Sequence, residues 1–118
     1  MSSMPHSDVV RLQHMLDAAR EAITFGAGGS PDDLARDRVL TLALVKCIEI
    51  IGEAASQVST ETRTGTPQIP WANIIGMRNR LIHAYFDVDV NRVSDTLAHD
   101  LPPLIALLEN TLAAMDNA

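Results

Sequence analysis

Four stretches of the chain repeat apolar residues every three or four positions, which is the spacing of an amphipathic α-helix. Short breaks rich in glycine, threonine, proline or aspartate separate these stretches. The pattern predicts helices over about Ser7–Phe25, Pro31–Ser59, Trp71–Tyr85 and Val90–Met115. No segment alternates apolar and polar residues convincingly with period two. We therefore predict an all-α protein, an antiparallel four-helix bundle.

Residues at the ends of these stretches support the proposed bounds. Ser7 is a candidate N-cap for the first helix, and the glycines of Gly26-Ala27-Gly28-Gly29 end it. In Ser30-Pro31-Asp32-Asp33, a capping serine, a proline at the first helical position and two carboxylates begin the second helix. The composition of Thr60–Pro70 predicts a loop. Pro102-Pro103 predicts a kink or a restart within the fourth helix.

The second predicted helix is apolar over most of its circumference, from Leu34 to Val58. A helix of this kind must be covered on nearly all sides. In so small a four-helix domain, we expect a second copy of the chain to supply part of that cover. The polar residues form one stripe, which includes Lys46, Glu49 and Glu53. This stripe either faces solvent or borders a site on the third helix.

Length and composition fit one small domain that spans residues 1–118, of which 1–6 are expected to be frayed. Hydrophobic residues make up 47% of the chain and aromatic residues 3%, so the core must be largely aliphatic. No apolar run approaches the roughly 18 residues of a membrane span, and the N-terminus does not resemble a signal peptide. The single cysteine, Cys47, has apolar neighbours and fits a buried thiol in a reducing compartment. We therefore expect a cytoplasmic protein with no membrane partner.

The formal net charge of −6 argues against a broad surface that binds nucleic-acid phosphates. A small phosphate-binding site is compatible with this negative net charge, but it must be built from few lysine and arginine side chains. Arg78, Arg80 and Arg92 are three of only nine lysines and arginines. No carboxylate cluster or His/Cys set has the spacing of metal ligands, so we expect no metal and no cofactor.

The segment Met77–Tyr85 holds the residues best suited to chemistry. The guanidinium of Arg78 presents paired donors that match phosphate oxygens, and the imidazole of His83 exchanges a proton near neutral pH. In a helix that continued to Tyr85, Asn79 and His83 would stack four residues apart. Arg78 and Tyr85, seven residues apart, would also align, on the part of the helix surface next to Asn79 and His83.

On that predicted helix, Arg78 falls at the centre of the apolar face, where an unpaired cation would be costly. It must meet a carboxylate, reach a cleft or lie in a subunit interface. Such residues suit RNA cleavage, because the 2′-hydroxyl supplies the nucleophile and the protein need only bind the phosphate and transfer protons. By spacing alone, however, a structural salt-bridge network is the simpler explanation of an Arg-x4-His pattern.

The longer sequence around this segment resembles a known family. Ile69-Pro70-Trp71 and the run from Ile74 to Asp89 resemble the signature of the HepT-type branch of the HEPN superfamily. Ile51-Gly52-Glu53-Ala54 and Asp100-Leu101-Pro102-Pro103-Leu104 resemble the same family, so the similarity covers nearly the full chain. The extended pattern Arg-x4-His-x-Tyr, with asparagine after the arginine, is far more specific than Arg-x4-His.

The resemblance implies an all-α homodimer of HEPN type, in which two motifs share one composite cleft. It implies the toxin of a bacterial or archaeal toxin–antitoxin system, a metal-independent ribonuclease that cuts RNA by 2′-hydroxyl attack. The implied partner is an MntA-like nucleotidyltransferase antitoxin that adds AMP to the motif tyrosine. By this resemblance Arg78 would bind the phosphate and His83 would serve as general acid or base. Asn79 would orient the imidazole or the backbone, and Tyr85 would accept AMP.

Glu53 and Arg80 are further candidates for supporting residues. Two other functions stay open: a non-catalytic helical dimer that binds a nucleotide or RNA and partners a nucleotidyltransferase, and a scaffold with an interface salt-bridge network. His83 favours the ribonuclease, because phosphate binding alone needs only the arginine. The acidic net charge favours the non-catalytic partner. For a ribonuclease, an exposed RNA end or loop would suit a focused site better than a duplex.

Overall fold

Three long helices form the frame of the protein. The computed structural model describes residues 4–27, 29–84 and 87–116, and most of them are helical. The long helices are α1 (His6–Phe25), α3 (Arg38–Ser56) and α8 (Leu101–Asp116). Helix α1 packs against both α3 and α8. The predicted all-α class is therefore confirmed.

Shorter elements connect these helices and carry the candidate site. They are α2 (Pro31–Arg36), α4 (Thr60–Gly65), α5 (Trp71–Ile75), α6 (Met77–Leu81), β1 (Ile82–Ala84), β2 (Asp87–Val88) and α7 (Val90–Asp95). Helices α5 and α6 pack on α3, and α2 packs on α7. This packing places the segment around Arg78 against α3.

The core is aliphatic, as the composition predicts. Its fully buried side chains come from most of the helices and include Leu12, Met15, Leu34, Leu44, Ile48, Ile51, Ile74, Leu81, Leu101 and Leu108. Cys47 is buried as a free thiol, and burial raises its pKa, with a smaller contribution from the carboxylate of Glu21. None of the described helices is long and apolar enough to cross a membrane.

The second predicted helix, Pro31–Ser59, is two helices that meet at Asp37. The carboxylate of Asp37 accepts a hydrogen bond from the backbone N–H of Leu40 at 3.0 Å and so caps α3. Ser30 and Asp33 form the predicted start of α2, as a reciprocal capping box. A side-chain cap competes with helix continuation, which explains why the chain breaks here.

The segment Thr60–Pro70, predicted as a loop, contains the short helix α4. Ser59 caps this helix by accepting from the backbone N–H of Thr62 at 3.3 Å. The hydroxyls of Ser59 and Thr62 also donate, at 2.6 Å each, to the buried carboxylate of Asp8 on α1. Burial raises the pKa of Asp8, but these hydrogen bonds outweigh it and hold that pKa below its usual value. This tertiary network stabilises a helix that composition alone does not predict.

The fourth predicted helix is interrupted at the two prolines, as expected. Residues Thr96–Asp100 form a π-helical turn, in which the backbone N–H of Leu101 bonds the carbonyl of Thr96, five residues earlier. Pro102 and Pro103 have no N–H and cannot bond the carbonyls four residues before them. The chain widens into the π-helical turn just ahead of these prolines and then continues as α8.

The prediction of one helix over Trp71–Tyr85 is wrong. Gly76 separates α5 from α6, and α6 ends where Ile82 turns to an extended conformation at φ −126° and ψ 118°. The backbone N–H of Asp89 donates to the carbonyl of Leu81 at 2.7 Å, while β1 pairs antiparallel with β2. A β-branched residue and a tertiary hydrogen bond therefore end the helix before the motif histidine.

Candidate active site

Helix α5 lies unusually close to α3 at Gly52. A Cβ atom at this position would lie 3.3 Å from the carbonyl oxygen of Ile74 and 3.4 Å from that of Ile75. Both oxygens belong to the backbone and cannot rotate away as a side chain can. The glycine in Ile51-Gly52-Glu53-Ala54 therefore lets the two helices approach and sets the position of the motif segment.

Helix α6 buries one side and exposes the other. Met77 and Leu81, four residues apart, are buried against the core. Arg78, Asn79 and Arg80 are consequently exposed in the single chain. The prediction that Arg78 lies at the centre of an apolar face is wrong, because α5 and α6 are separate helices and do not share one face.

Arg78 meets a carboxylate, which was one of the three predicted environments. Its Nε lies 3.7 Å from Oε2 of Glu49 on α3, and Lys46 Nζ donates to the other oxygen of Glu49 at 3.3 Å. The side chains of Arg78 and Glu49 are each 44% exposed. Exposed ion pairs of this kind contribute at most about 1 kcal/mol, so an anionic ligand can replace Glu49 at the guanidinium. Glu53, the predicted neighbour, instead accepts a hydrogen bond from Gln57.

His83 lies on β1 and contacts a carboxylate that caps the next helix. Its Nε2 lies 3.1 Å from Oδ2 of Asp89. The other carboxylate oxygen of Asp89 accepts from the backbone N–H of Arg92 at 3.1 Å and so caps α7. The hydrogen bond from the backbone N–H of Arg92 is the largest influence on the pKa of Asp89 and lowers it. Burial, the next in size, raises this pKa, and contact with His83 lowers it, so the net shift is downward.

The ionised carboxylate of Asp89 fixes the tautomer of His83. A carboxylate without a proton can only accept hydrogen bonds, so Nε2 of the imidazole must be the donor. In the neutral ring, Nδ1 is then the atom that accepts a proton. The side chain of His83 is 63% exposed, which leaves this atom accessible to a substrate.

Asn79 and Arg80 do not join the Arg78–Glu49 pair or the His83–Asp89 pair. Within the described part of the chain, Asn79 forms no side-chain hydrogen bond, and the expected stacking of Asn79 on His83 is not formed because His83 is on a strand. Nη2 of Arg80 donates to the carbonyl of Asn73 at 2.7 Å. Tyr85 lies outside the described residues.

Glu49 and Asp89 are contact residues that the sequence pattern does not single out. Glu49 belongs to the predicted polar stripe, in which Glu53 is the residue proposed for the site. The available signals for Asp89 are its place directly before the predicted fourth helix, where an N-cap stands, and its distance of six residues from His83. Residues 4–27, 29–84 and 87–116 contain no group of three or more His, Cys, Asp or Glu that could hold a metal ion.

These features define a class: an all-α protein with an exposed arginine beside a glutamate and an exposed histidine in contact with an aspartate. Residues 15–111 match the family described as "Ribonuclease HepT-like". The chain belongs to this family, within the HEPN superfamily, and the resemblance seen in the motif is confirmed.

Relatives with similar sequences come from bacteria and archaea. "Putative RNase TTE0752" of Caldanaerobacter subterraneus subsp. tengcongensis is 39% identical over 93 residues, which cover 79% of this chain and 83% of the relative. "Putative RNase MJ1216" of Methanocaldococcus jannaschii is 31% identical over 102 residues, 86% and 84% of the two chains. "Probable ribonuclease HepT" of Thermococcus cleftensis is 38% identical over 73 residues, 62% and 66% of the two chains. No solved structure matched the chain significantly.

We predict that Gly52→Ala destabilises the protein by about 1–3 kcal/mol, although alanine is the better helix former. The added methyl would push the backbone of α5 away from α3. Urea unfolding measures the loss, and Gly65→Ala is the matched control, because nothing lies within 4 Å of a Cβ at Gly65. Equal stability of the Gly52→Ala variant and the wild type would contradict the prediction.

Proposed function

We propose that this protein is the toxin of a toxin–antitoxin system and acts as a metal-independent ribonuclease. The observation that carries the proposal is the His83–Asp89 pair, which leaves Nδ1 of the imidazole open to substrate. Arg78 on the preceding helix supplies a cation whose partner, Glu49, is exchangeable. The names of the relatives, which describe RNases, support the same activity.

In the proposed reaction, Arg78 binds the non-bridging oxygens of the scissile phosphate. Nδ1 of His83 takes the proton of the ribose 2′-hydroxyl, and the 2′-oxygen attacks the phosphorus. A bond forms between the 2′-oxygen and phosphorus, and the bond from phosphorus to the 5′-oxygen breaks. A protonated imidazole gives its proton to the 5′-oxygen. The products are a 2′,3′-cyclic phosphate and a 5′-hydroxyl. Asp89 stabilises the imidazolium that forms during the transfer.

We further propose that two copies of the chain form the active unit. Val39, Leu42 and Ile50 are 81%, 46% and 37% exposed, and they lie within roughly 80° of one another on α3 at about 100° per residue. Ile75 on α5 is 36% exposed and stands next to the motif helix. A second copy over this apolar strip would bury it. It would also bring two Arg78 side chains towards one cleft, and one His83 could then act as base and the other as acid.

The proposed antitoxin is an MntA-like nucleotidyltransferase that transfers AMP from ATP to the hydroxyl of Tyr85. In that step the phenol oxygen attacks the α-phosphorus, and pyrophosphate leaves. Tyr85 is the second residue after His83 in the sequence. A bulky, negatively charged adduct beside the motif would fill the site and repel the substrate phosphate.

The second candidate function is a non-catalytic dimer that binds a nucleotide or RNA and partners the nucleotidyltransferase. The net charge of −6 favours it, because such a chain attracts RNA weakly over most of its surface. In that case His83 and Arg78 would contact phosphate without cleavage. RNA cleavage by the purified protein separates the two candidates.

We predict that His83→Ala lowers the rate of RNA cleavage about 10²- to 10⁴-fold and abolishes growth arrest on expression. Asp89→Asn lowers the rate at least about tenfold but leaves the fold intact, because asparagine is an equally good helix cap. The measurements are cleavage of total RNA and detection of cyclic phosphate ends. His6→Ala is the control, since His6 is an exposed histidine at the start of α1. Failure of the wild type to cleave RNA would contradict the proposal.

Leu42→Glu should shift the protein from dimer to monomer, because it places a charge on the apolar strip of α3. Light scattering after size-exclusion chromatography measures the mass. Phe25→Glu is a matched control, since Phe25 is also 46% exposed but lies at the end of α1. A wild type that is monomeric at micromolar concentration, or a Leu42→Glu variant that stays dimeric, would argue against this interface.

Co-expression with the partner nucleotidyltransferase should add AMP-sized masses to the wild-type protein and silence its activity. Tyr85→Phe removes the acceptor hydroxyl, so this variant should gain no mass and should stay toxic. Intact-protein mass spectrometry makes the measurement, with the protein expressed alone as the control. Equal modification of the wild type and of Tyr85→Phe would rule out Tyr85 as the acceptor.

A further inference from the structure

A groove of about 490 Å³ lies on a different side of α6 from the Arg78–Glu49 pair. It runs between the α5–α6 segment and the helical segment that contains the π-helical turn and α8. Buried apolar side chains, including Ile74 and Leu104, form its floor. Three side chains that carry or can carry positive charge line it: Arg80, Arg92 and His99.

The charges of this groove contrast with those of the whole chain. Arg80 and Arg92 are two of nine lysines and arginines in a chain of net charge −6. Neither forms an ion pair with a described carboxylate, whereas Arg20 and Arg78 do. Among the described lining residues, Asp100 is the one acidic side chain. The two arginines of the groove therefore outnumber its carboxylates, which favours an anion.

The π-helical turn brings two of the lining residues into the groove. Thr96 and Leu97, at its start, are buried in the core, while His99 and Asp100, at its end, are exposed and line the groove. π-Helical turns are rare within α-helices and recur at functional sites. His99 and Asp100 add donors and acceptors that can reach a ribose hydroxyl or a base edge.

Arg92 connects the groove to the His83–Asp89 pair. Its backbone N–H donates to one oxygen of Asp89, and the other oxygen contacts His83. The side chain of the same arginine lines the groove. A ligand that contacts the side chain of Arg92 therefore touches the residue whose backbone N–H bonds Asp89. The carboxylate of Asp89 in turn contacts His83, the proposed base. Arg80 is held at the opposite wall by its hydrogen bond to the carbonyl of Asn73.

We propose that this groove binds a nucleotide of single-stranded RNA that flanks the cleaved bond. Arg80 and Arg92 contact the phosphate of that nucleotide, and the apolar floor packs against its base. An unpaired strand fits because a base must leave its stack to reach such a floor. The inference rests on the proposed ribonuclease function and gives that site a second contact with the same strand.

The test measures binding of a fluorescent, single-stranded RNA to protein that carries His83→Ala, so that cleavage does not occur. Arg92→Gln and His99→Gln are added in turn. Arg92→Gln should weaken binding about tenfold and reduce the slope of log K against log salt by about 0.7, since one phosphate contact is lost. His99→Gln should weaken binding without that change in slope if the ring is neutral.

Arg36→Gln is the matched control, because Arg36 is an exposed arginine of α2 that does not line this groove. It removes the same charge and should leave the affinity and the salt slope unchanged. Equal losses for Arg36→Gln and Arg92→Gln would mean a general effect of net charge and would overturn the proposal. Equal affinity of Arg92→Gln and its parent, or no RNA binding by the parent, would also overturn it.

Methyl NMR locates the contact independently of affinity. Met77, buried in the floor of the groove, should shift on addition of the RNA, while Met15, a core residue of α1, should not. The same shift with AMP or ATP at equal concentration, and no preference for RNA, would assign the groove to a free nucleotide instead. Binding in the groove without any cleavage by the wild type would refute the ribonuclease, and with it the place of the nucleotide beside a cleaved bond, but would keep the groove as a binding site for single-stranded RNA.

Discussion

The carboxylate of Asp89 makes the contacts on which the candidate site depends. One oxygen caps α7, the other contacts Nε2 of His83, and the backbone N–H of the same residue bonds the carbonyl that ends α6. Because the capping N–H groups favour the ionised form, they lower the pKa of this aspartate. One residue thus ends a helix with its backbone N–H, while its side chain starts another helix and fixes the tautomer of the histidine between them.

The second constraint is the close approach of α3 and α5 at Gly52. It fixes the start of the motif segment, and the buried Met77 and Leu81 then set the direction of α6. Arg78 then faces Glu49, and Arg80 faces the groove on a different side of α6. Two arginines separated by one residue therefore have different surroundings.

Sequence reasoning predicted the helical frame because the long helices depend on local spacing and local caps. The serine and proline that start α2, and the two prolines that interrupt the last helix, act within a few residues of their own positions. It failed where contacts outside the helix itself decide the outcome. Helix α4 depends on the carboxylate of Asp8, more than fifty residues away, and the end of α6 depends on pairing between β1 and β2.

By itself the sequence determined the all-α class and the likeness to the HepT-type family, and it led to the prediction that Arg78 and His83 are the residues suited to chemistry. Those conclusions need only residue types, spacing and periodicity. Tertiary structure decided the partners: Glu49 for Arg78 and Asp89 for His83, with His83 on a strand and not on a helix. A helical wheel assumes one continuous helix. The turn at Gly76 and the extended Ile82 break that assumption, so side-chain directions could be known only from the folded chain.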